Sequence, residues 1–357
     1  MELGMLMMPL HRPERPFLTV LREDQEAIVL ADELGFSEVY VGEHYSNKPE
    51  QITSPFIFLA TLIERTRQIK FGTGVINLPQ QHPAIVAAHA AMFDQLAQGR
   101  FIFGIGPGGS PGDFEMFKLN NPPDRPRMMQ ESIETILKIW SQEPPYEFPG
   151  GYWDFRIKDA YRSDLGVGVM ARPYQTPHPP IAVSIMSPRS GSARTAGEHG
   201  WIPISANFTP ACHVKTHWEA YAEGCAAAGR EPDPAIWRAA RSILVTESDA
   251  EAEDYLADPD NTLAFYFNYL RTVLLDADFG ALLKDDPAMT DEAITTQYML
   301  DAMVVAGSPR TVTEKLVAFR EEVGDFGTLI ATAHDWDDEA RWRRSMRLLA
   351  DEVVPNL

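Results

Sequence analysis

The chain has 357 residues, 45% apolar and 23% charged, the balance of an ordinary globular protein. Acidic residues outnumber basic ones 51 to 31, for a formal net charge of −20, which argues against a nucleic-acid backbone or an anionic membrane as main partner. Cys212 and Cys225 are too few for a disulfide framework, no apolar run reaches about 18 residues, and the start MELGMLMMPL lacks the features of a signal peptide, so a soluble cytoplasmic protein is expected.

In chain order, Leu3–Met7 reads as a first strand and Leu21–Leu34 as a helix closed by Gly35. Glu38–Gly42 is a second strand that opens into Glu43, His44 and Tyr45. Ser54 and Pro55 begin a helix running to about Thr66, with Ser54 as its cap. Lys70–Ile76 is an apolar, β-rich third strand, left by a loop that begins at Asn77. Pro83 starts an alanine-rich helix that ends at Gly99, and Arg100–Ile105 is a fourth strand leading into the glycine-rich loop Gly106–Asp113.

Arg127–Trp140 has helical spacing, and Pro144–Pro180 reads as an irregular excursion or short hairpin. Strands follow at Ile181–Ile185, Trp201–Ser205 and Arg238–Val245, with helices before Gly200 and over Ala211–Ala228. The segment from Tyr255 to Asp291 is aromatic and acidic and reads as a helical insertion. Ser308 and Pro309 start a helix, Thr328–Thr332 is the eighth strand and Asp337–Val354 a closing helix. With no linker between two halves, residues 1–357 are expected to form a single (β/α)8 barrel, its insertions at about 144–180 and 255–291 lying over the C-terminal mouth.

Several residues at strand ends carry possible chemistry. His44 stands where a barrel turns side chains into its mouth, suited to moving a proton near neutral pH; a solvent-edge histidine bonded to a carbonyl is the plainer reading, and position alone leaves both open. Gly72, Gly74 and Val75 lie inside a strand, where glycine marks either close approach of a ligand or tight packing. The Gly104–Asp113 stretch has neither the GxGxxG spacing nor a Gly-Lys-Ser/Thr, so it is a backbone-rich loop rather than a phosphate motif, with Asp113 either accepting from a ligand N–H or capping the turn. Ser187, Arg189 and Ser190 at a helix start make an anion site or an ordinary cap. His82, His89, His178, His199, His213 and His217 have no metal-binding spacing and are expected at the surface; no metal site is expected.

Taken together, Glu43-His44, TGVINLPQQHP (Thr73–Pro83) and DQLAQGRFIFGIGPGGSPGDFEMF (Asp94–Phe117) are far more specific than any one of them. The chain resembles the bacterial luciferase-like flavin monooxygenases, in particular the limonene-monooxygenase-like branch, over nearly its whole length. The resemblance implies a TIM-type barrel that takes reduced FMN (FMNH2) from a separate flavin reductase at its C-terminal mouth. It implies use of O2 to oxygenate a small hydrophobic substrate, terpene-like for instance, and a homodimer or larger homo-oligomer. An F420-dependent oxidoreductase on the same barrel is the alternative, and a non-catalytic flavin-binding protein a further one.

By the same resemblance His44 is the active-site histidine, and Gly74–Val75 is the site of a non-proline cis peptide against the flavin ring, with Asn77 beside it. Asp113 lies near the ring, Ser187 with Ser190 at the phosphate, and Arg125 or Arg127 approaches the flavin. Gly106, Pro107 and Tyr45 replace a reactive cysteine, a phosphate-binding arginine and a second histidine of the luciferase catalytic chain, so light emission is not implied. The Pro144–Pro180 excursion and the Tyr255–Leu275 segment are the expected cover that keeps water from the reaction. Met5–Met8, Phe56 and Phe58 line an apolar pocket or belong to the core.

Overall fold

The computed structural model describes residues 1–121 and 123–357. Its main sheet has ten strands, eight of which follow one another into a closed parallel ring. The ring consists of β1 (Glu2–Met7), β2 (Glu38–Val41), β3 (Lys70–Thr73), β4 (Phe101–Gly106), β5 (Ile181–Ile185), β6 (Ile202–Ser205), β7 (Arg238–Val245) and β8 (Thr328–Thr332). Leu3 of β1 lies opposite Leu329 of β8, and Ala239 of β7 lies opposite both Leu329 and Ser205 of β6, which closes the circle. Strands buried on both faces need apolar runs without alternation, and stretches such as Phe101–Gly106 and Ile181–Ile185 have that character, whereas β7 carries Arg238 and Arg241 in its first half.

Helices return the chain outside the ring, among them Phe17–Glu33, Pro83–Ala97, Asp124–Ser141, Ala211–Ala227 and Pro309–Val323. Their starts follow local chemistry: the Ser54 and Ser308 side chains accept from the N–H groups of Ile57 and Thr311, each with a proline at the first helical position. The helix begun by Ser54 stops at Ala60 rather than reaching Thr66. Inside the ring Leu6, Tyr40, Ile102, Ile204, Ala240 and Ile330 form a small core. Below them Glu38 and Arg238 meet in a two-pronged ion pair at 2.8 and 3.0 Å, and the Tyr40 hydroxyl donates to Glu38 at 3.1 Å. Gly72 serves this packing and not a ligand: a Cβ there would stand 2.3 Å from the Tyr40 ring.

Three features depart from the sequence reading. The third strand is not one run: the Gly74–Val75 peptide is cis, and Ile76–Asn77 forms a separate short strand beside Ile105 and Gly106. The end of the glycine-rich loop winds into a helix, Pro111–Met116. A tenth strand, Val304–Gly307, pairs with the far half of β7 after the helices Asp249–Ala257, Thr262–Asp276 and Thr296–Met303.

The two insertions lie in different places. Helix Thr262–Asp276 sits over the C-terminal ends of the strands: Tyr266 bonds Asn207 after β6, Tyr269 bonds Asn47 after β2, and Arg12 after β1 covers the Phe265 ring at 5.0 Å. The excursion instead forms a hairpin, Tyr146–Phe148 with Phe155–Ile157, along the outer helices. Glu131 accepts from Tyr152 and Trp153 at its tip, and Gln175 bonds Asp94 at the opposite end of the barrel. Only the tip approaches the mouth, with Trp153 edge-on to His82 at 5.5 Å. Among the described residues no helix is long and apolar enough to cross a membrane.

Candidate active site

The loop that leaves β2 organises the mouth. Glu43 is buried and accepts the Asn77 N–H at 3.0 Å, the Gln81 amide at 2.9 Å and the Tyr45 hydroxyl at 3.1 Å, while the Asn77 amide returns a bond to the Glu43 carbonyl at 3.0 Å. Burial outweighs these donors and pushes the Glu43 carboxyl up to about 7. Asn77 is thereby held to the β2 loop rather than presented to a ligand.

Asp113 also differs from the expectation of a ligand-facing acid. It is fully buried, and its carboxylate accepts from the Ser46 N–H at 2.9 Å, the Ser46 hydroxyl at 2.5 Å and the Tyr45 N–H at 3.2 Å. It pins the backbone just beyond His44. The sequence offered an alternative, a turn cap, but the turn it closes lies 68 residues away.

His44 lies between these anchors. Its N–H donates to the Ile52 carbonyl at 3.2 Å, and its Nδ1 is 3.1 Å from the Glu50 carboxylate. With Met7, Met8, Gly42 and Ile52 it lines a cleft holding about 10 Å³ of free space, roughly the room of one water molecule.

The other half of the mouth is built on β3, β4 and β5. Gly106 faces Val75 so closely that a Cβ at 106 would stand 2.5 Å from Val75 Cγ2, so Val75 and a side-chain-free backbone form one wall. Gln80 is buried beside Gly108, and neither polar atom of its amide has a partner among the described residues. Arg125 stacks on the Phe114 ring at 3.7 Å, donates to the Leu119 carbonyl at 3.4 Å and pairs with no carboxylate among the described residues. Arg127 is exposed on the same helix.

Ser187 is exposed after β5, and Ser190 caps helix Gly191–His199 by accepting from Ser192 N–H at 3.2 Å. Arg189 leaves this turn, reaching towards Glu219 at 3.5 Å, so the anion set expected there lacks its cation. His217, expected at the surface, is buried: Ser205 Oγ lies 3.0 Å from its Nδ1, and burial pulls the imidazole down to about 4. At helical spacing a buried and an exposed histidine look alike, and neighbouring strands decide between them.

Among the described residues one acidic–histidine group has the reach of a metal site, His11 with Glu23 and Asp335. Arg15 already pairs with both acids, and His11 lies 2.6 Å from Asp335 and 3.2 Å from Asp24, so the group is an ion-pair network tying the β1 and β8 loops together.

Sequence reasoning missed Glu50, Gln80 and Tyr269. Gln80 lies inside the Thr73–Pro83 motif and Tyr269 inside the covering segment, yet, like Glu50, each shows its part only by what folding brings beside it.

A closed parallel barrel with a histidine, a side-chain-free backbone wall and hydroxyls at a helix start around its C-terminal mouth has these groups at the face where barrel enzymes carry their active sites. Residues 1–325 match the family model described as luciferase-like monooxygenase, and the chain belongs to that family. It is 31% identical to 3,6-diketocamphane 1,6-monooxygenase of Pseudomonas putida, covering 100% of this chain and 98% of that protein. Limonene 1,2-monooxygenase of Rhodococcus erythropolis is 29% identical, with 99% and 86% covered. Among solved structures, the oxygenating constituent of the P. putida 3,6-diketocamphane monooxygenase, a type II Baeyer-Villiger enzyme in complex with FMN, superposes with a TM-score of 0.89 at 30% identity, covering 100% of this chain and 98% of that one. The F420-dependent tetrahydromethanopterin reductase of Methanopyrus kandleri shares the fold, with a TM-score of 0.69 at 21% identity and 99% and 98% covered.

Proposed function

We propose that this protein is the oxygenase component of a two-component, FMN-dependent monooxygenase that inserts one atom of O2 into a small hydrophobic, terpene-like molecule. The observation that carries the reading is the full-length likeness to the FMN-bound oxygenating constituent, at 30% identity and a TM-score of 0.89. The mouth fits such a cofactor on its own terms. The Val75–Gly106 wall would lie under a flat ring, and the orphaned Gln80 amide has a donor and an acceptor to offer one. Ser187 and Ser190 with the helix start behind them suit a phosphate, and the Arg125 guanidinium, stacked on Phe114, has no carboxylate partner among the described residues.

Reduced FMN, when bound, supplies the electrons that activate O2. The chain's own residues do the rest. His44 carries the proton that must move as the oxygen atom is transferred. Glu43 holds the His44 loop against the β3 loop and Asp113 holds it against the helix after β4, fixing the distance between histidine and cofactor wall. Helix Thr262–Asp276 covers the mouth and keeps water from the oxygen chemistry.

Two further parts belong to this reading. FMNH2 comes from a separate reductase; the oxygenase component of a trigonelline monooxygenase from Acinetobacter baylyi, 25% identical over 92% of this chain, bears a name of that two-component type. A second copy of the chain covers the exposed side chains Ile57, Ile85, Met92 and Leu96, which form a strip on two adjacent helices. The test of the whole is aerobic turnover with FMNH2 and a panel of cyclic terpenes and ketones under 18O2. Incorporation of one labelled atom per product is expected. Product without label, or turnover only with F420, would overturn the reading.

A further inference from the structure

We infer that Thr216 and His217 of helix Ala211–Ala227 are the positioning residues of the phosphate turn: from behind, they hold Ser187–Ser190 in the backbone form that takes an anion, and so they set a preference for FMN over riboflavin. The inference rests on the assignment of the flavin phosphate to Ser187 and Ser190 made above. The turn does not bind by charge. Arg189, its only basic residue, is drawn to Glu219 at 3.5 Å and Glu223 at 3.8 Å on that same helix. An anion there is held by the Ser187 and Ser190 hydroxyls and the N–H groups that open helix Gly191–His199. Such dipoles bind only as well as they are oriented in advance.

Left to itself the turn would not keep that form. Arg189 has a φ of +49°, in the left-handed region that a residue with a side chain adopts at a cost. The neighbouring helix holds it there. The Arg189 N–H donates to the Thr216 hydroxyl oxygen at 2.9 Å, and that hydroxyl spends its own proton on the His213 carbonyl at 2.7 Å. A lone pair is therefore what Thr216 presents to the turn.

His217, the next residue, meets the start of the turn and is 1% exposed. Trp237 Nε1–H donates to Ser205 Oγ at 2.9 Å, and the Ser205 proton has no acceptor among the described residues but His217 Nδ1, at 3.0 Å. The neutral ring thus carries its own proton on Nε2. Nε2 completes no hydrogen bond among the described residues, while the Met186 and Ser187 backbone favours the charged form of the ring, as carbonyl oxygens close to an N–H do. A buried donor therefore stands open behind the turn. It attracts those two carbonyls and keeps them turned from the anion, which a carbonyl oxygen would repel.

The test is titration of the full-length chain with oxidised FMN and with riboflavin, which lacks the phosphate, read by quenching of flavin fluorescence. Wild type should bind FMN at least tenfold more tightly than riboflavin. T216V removes the acceptor at nearly constant shape: FMN binding should weaken about tenfold and riboflavin binding stay within twofold. T216S keeps the hydroxyl and should bind FMN within about twofold of wild type. H217F should also weaken FMN selectively; if H217F does not fold, T216V and T216S decide alone. Equal loss of both flavins in T216V, unchanged FMN affinity in T216V, or T216S as weak as T216V overturns the inference. A wild type without preference for FMN overturns the phosphate assignment itself, so the two failures are told apart by the unsubstituted protein.

Discussion

The Glu43 carboxylate accepts the backbone N–H of Asn77 at 3.0 Å, and through that bond the loop carrying His44 and the loop following the cis Gly74–Val75 peptide become one unit. Gln81 and Tyr45 bond the same carboxylate, so three residues from two strand ends share one anchor. Glu43→Ala leaves the Asn77 N–H buried and unpaired, which costs about 1–3 kcal/mol. A lower denaturation midpoint is expected in urea titration, together with product loss at saturating FMNH2, because the separation of histidine and cofactor wall is no longer fixed.

His44→Ala removes the proton carrier and leaves the cofactor wall intact. Product yield should fall roughly a hundredfold or more, the scale of general acid–base catalysis. FMN affinity should stay within a few-fold, and hydrogen peroxide should replace the missing product. Peroxide and product assayed in the same reaction check this; unchanged product yield would remove His44 from the chemistry.

Ser187→Asp places a negative charge where the phosphate is assigned. A tenfold or greater weakening of FMN binding, about 1.4 kcal/mol, is expected in a fluorescence titration. Because Ser187 is exposed and makes no side-chain bond among the described residues, the folded state should be unaffected by circular dichroism.

His11 gives a pH signature unrelated to catalysis. Burial alone would lower its pKa, yet bonds and charge from Asp24 and Asp335 raise it to about 9 from 6.5. A histidine raised on folding contributes stability that is complete below pH 6.5 and disappears as pH climbs through about 9. Asp335 is lowered by His11 and Arg15, whereas Asp24 is raised because burial outweighs the same histidine. The His11 contribution is therefore best isolated as a difference. The unfolding free energy of wild type minus that of His11→Gln should be largest near pH 6 and shrink through pH 9; a difference independent of pH would contradict the network.

Met92→Glu tests the self-association surface. Met92 is 61% exposed, in a strip with Ile57 at 73%, Ile85 at 52% and Leu96 at 51%. A charge there should shift the sedimentation coefficient to that of a 39.9 kDa monomer without lowering the melting temperature of the barrel. An unchanged association state would place the interface elsewhere.

The barrel was legible because most ring strands are apolar runs bounded by turn residues, as in IAVSI at Ile181–Ile185, and burial on both faces demands such a run. The position of His44 was legible for the same reason, since it directly follows one of those runs. The break in the third strand was not: composition gives no reason for Lys70–Ile76 to stop at Thr73, and the cis position came only from likeness to a family. Asp113 was legible as a residue but not as a role, because the N–H groups it satisfies belong to Tyr45 and Ser46.

By itself the sequence determined the alternation of strand and helix and the end of the barrel at which His44 falls, consequences of local periodicity, capping and turn chemistry, while a role for that histidine came only from likeness to a family. Only the tertiary structure decided which groups meet. Glu38 pairs with Arg238 across 200 positions, His11 with Asp335 across 324, and Glu50 turns back onto His44 under a tyrosine from a distant helix. Burial and hydrogen bonding are satisfied by whatever the closed ring brings together, and separation along the chain carries no trace of that.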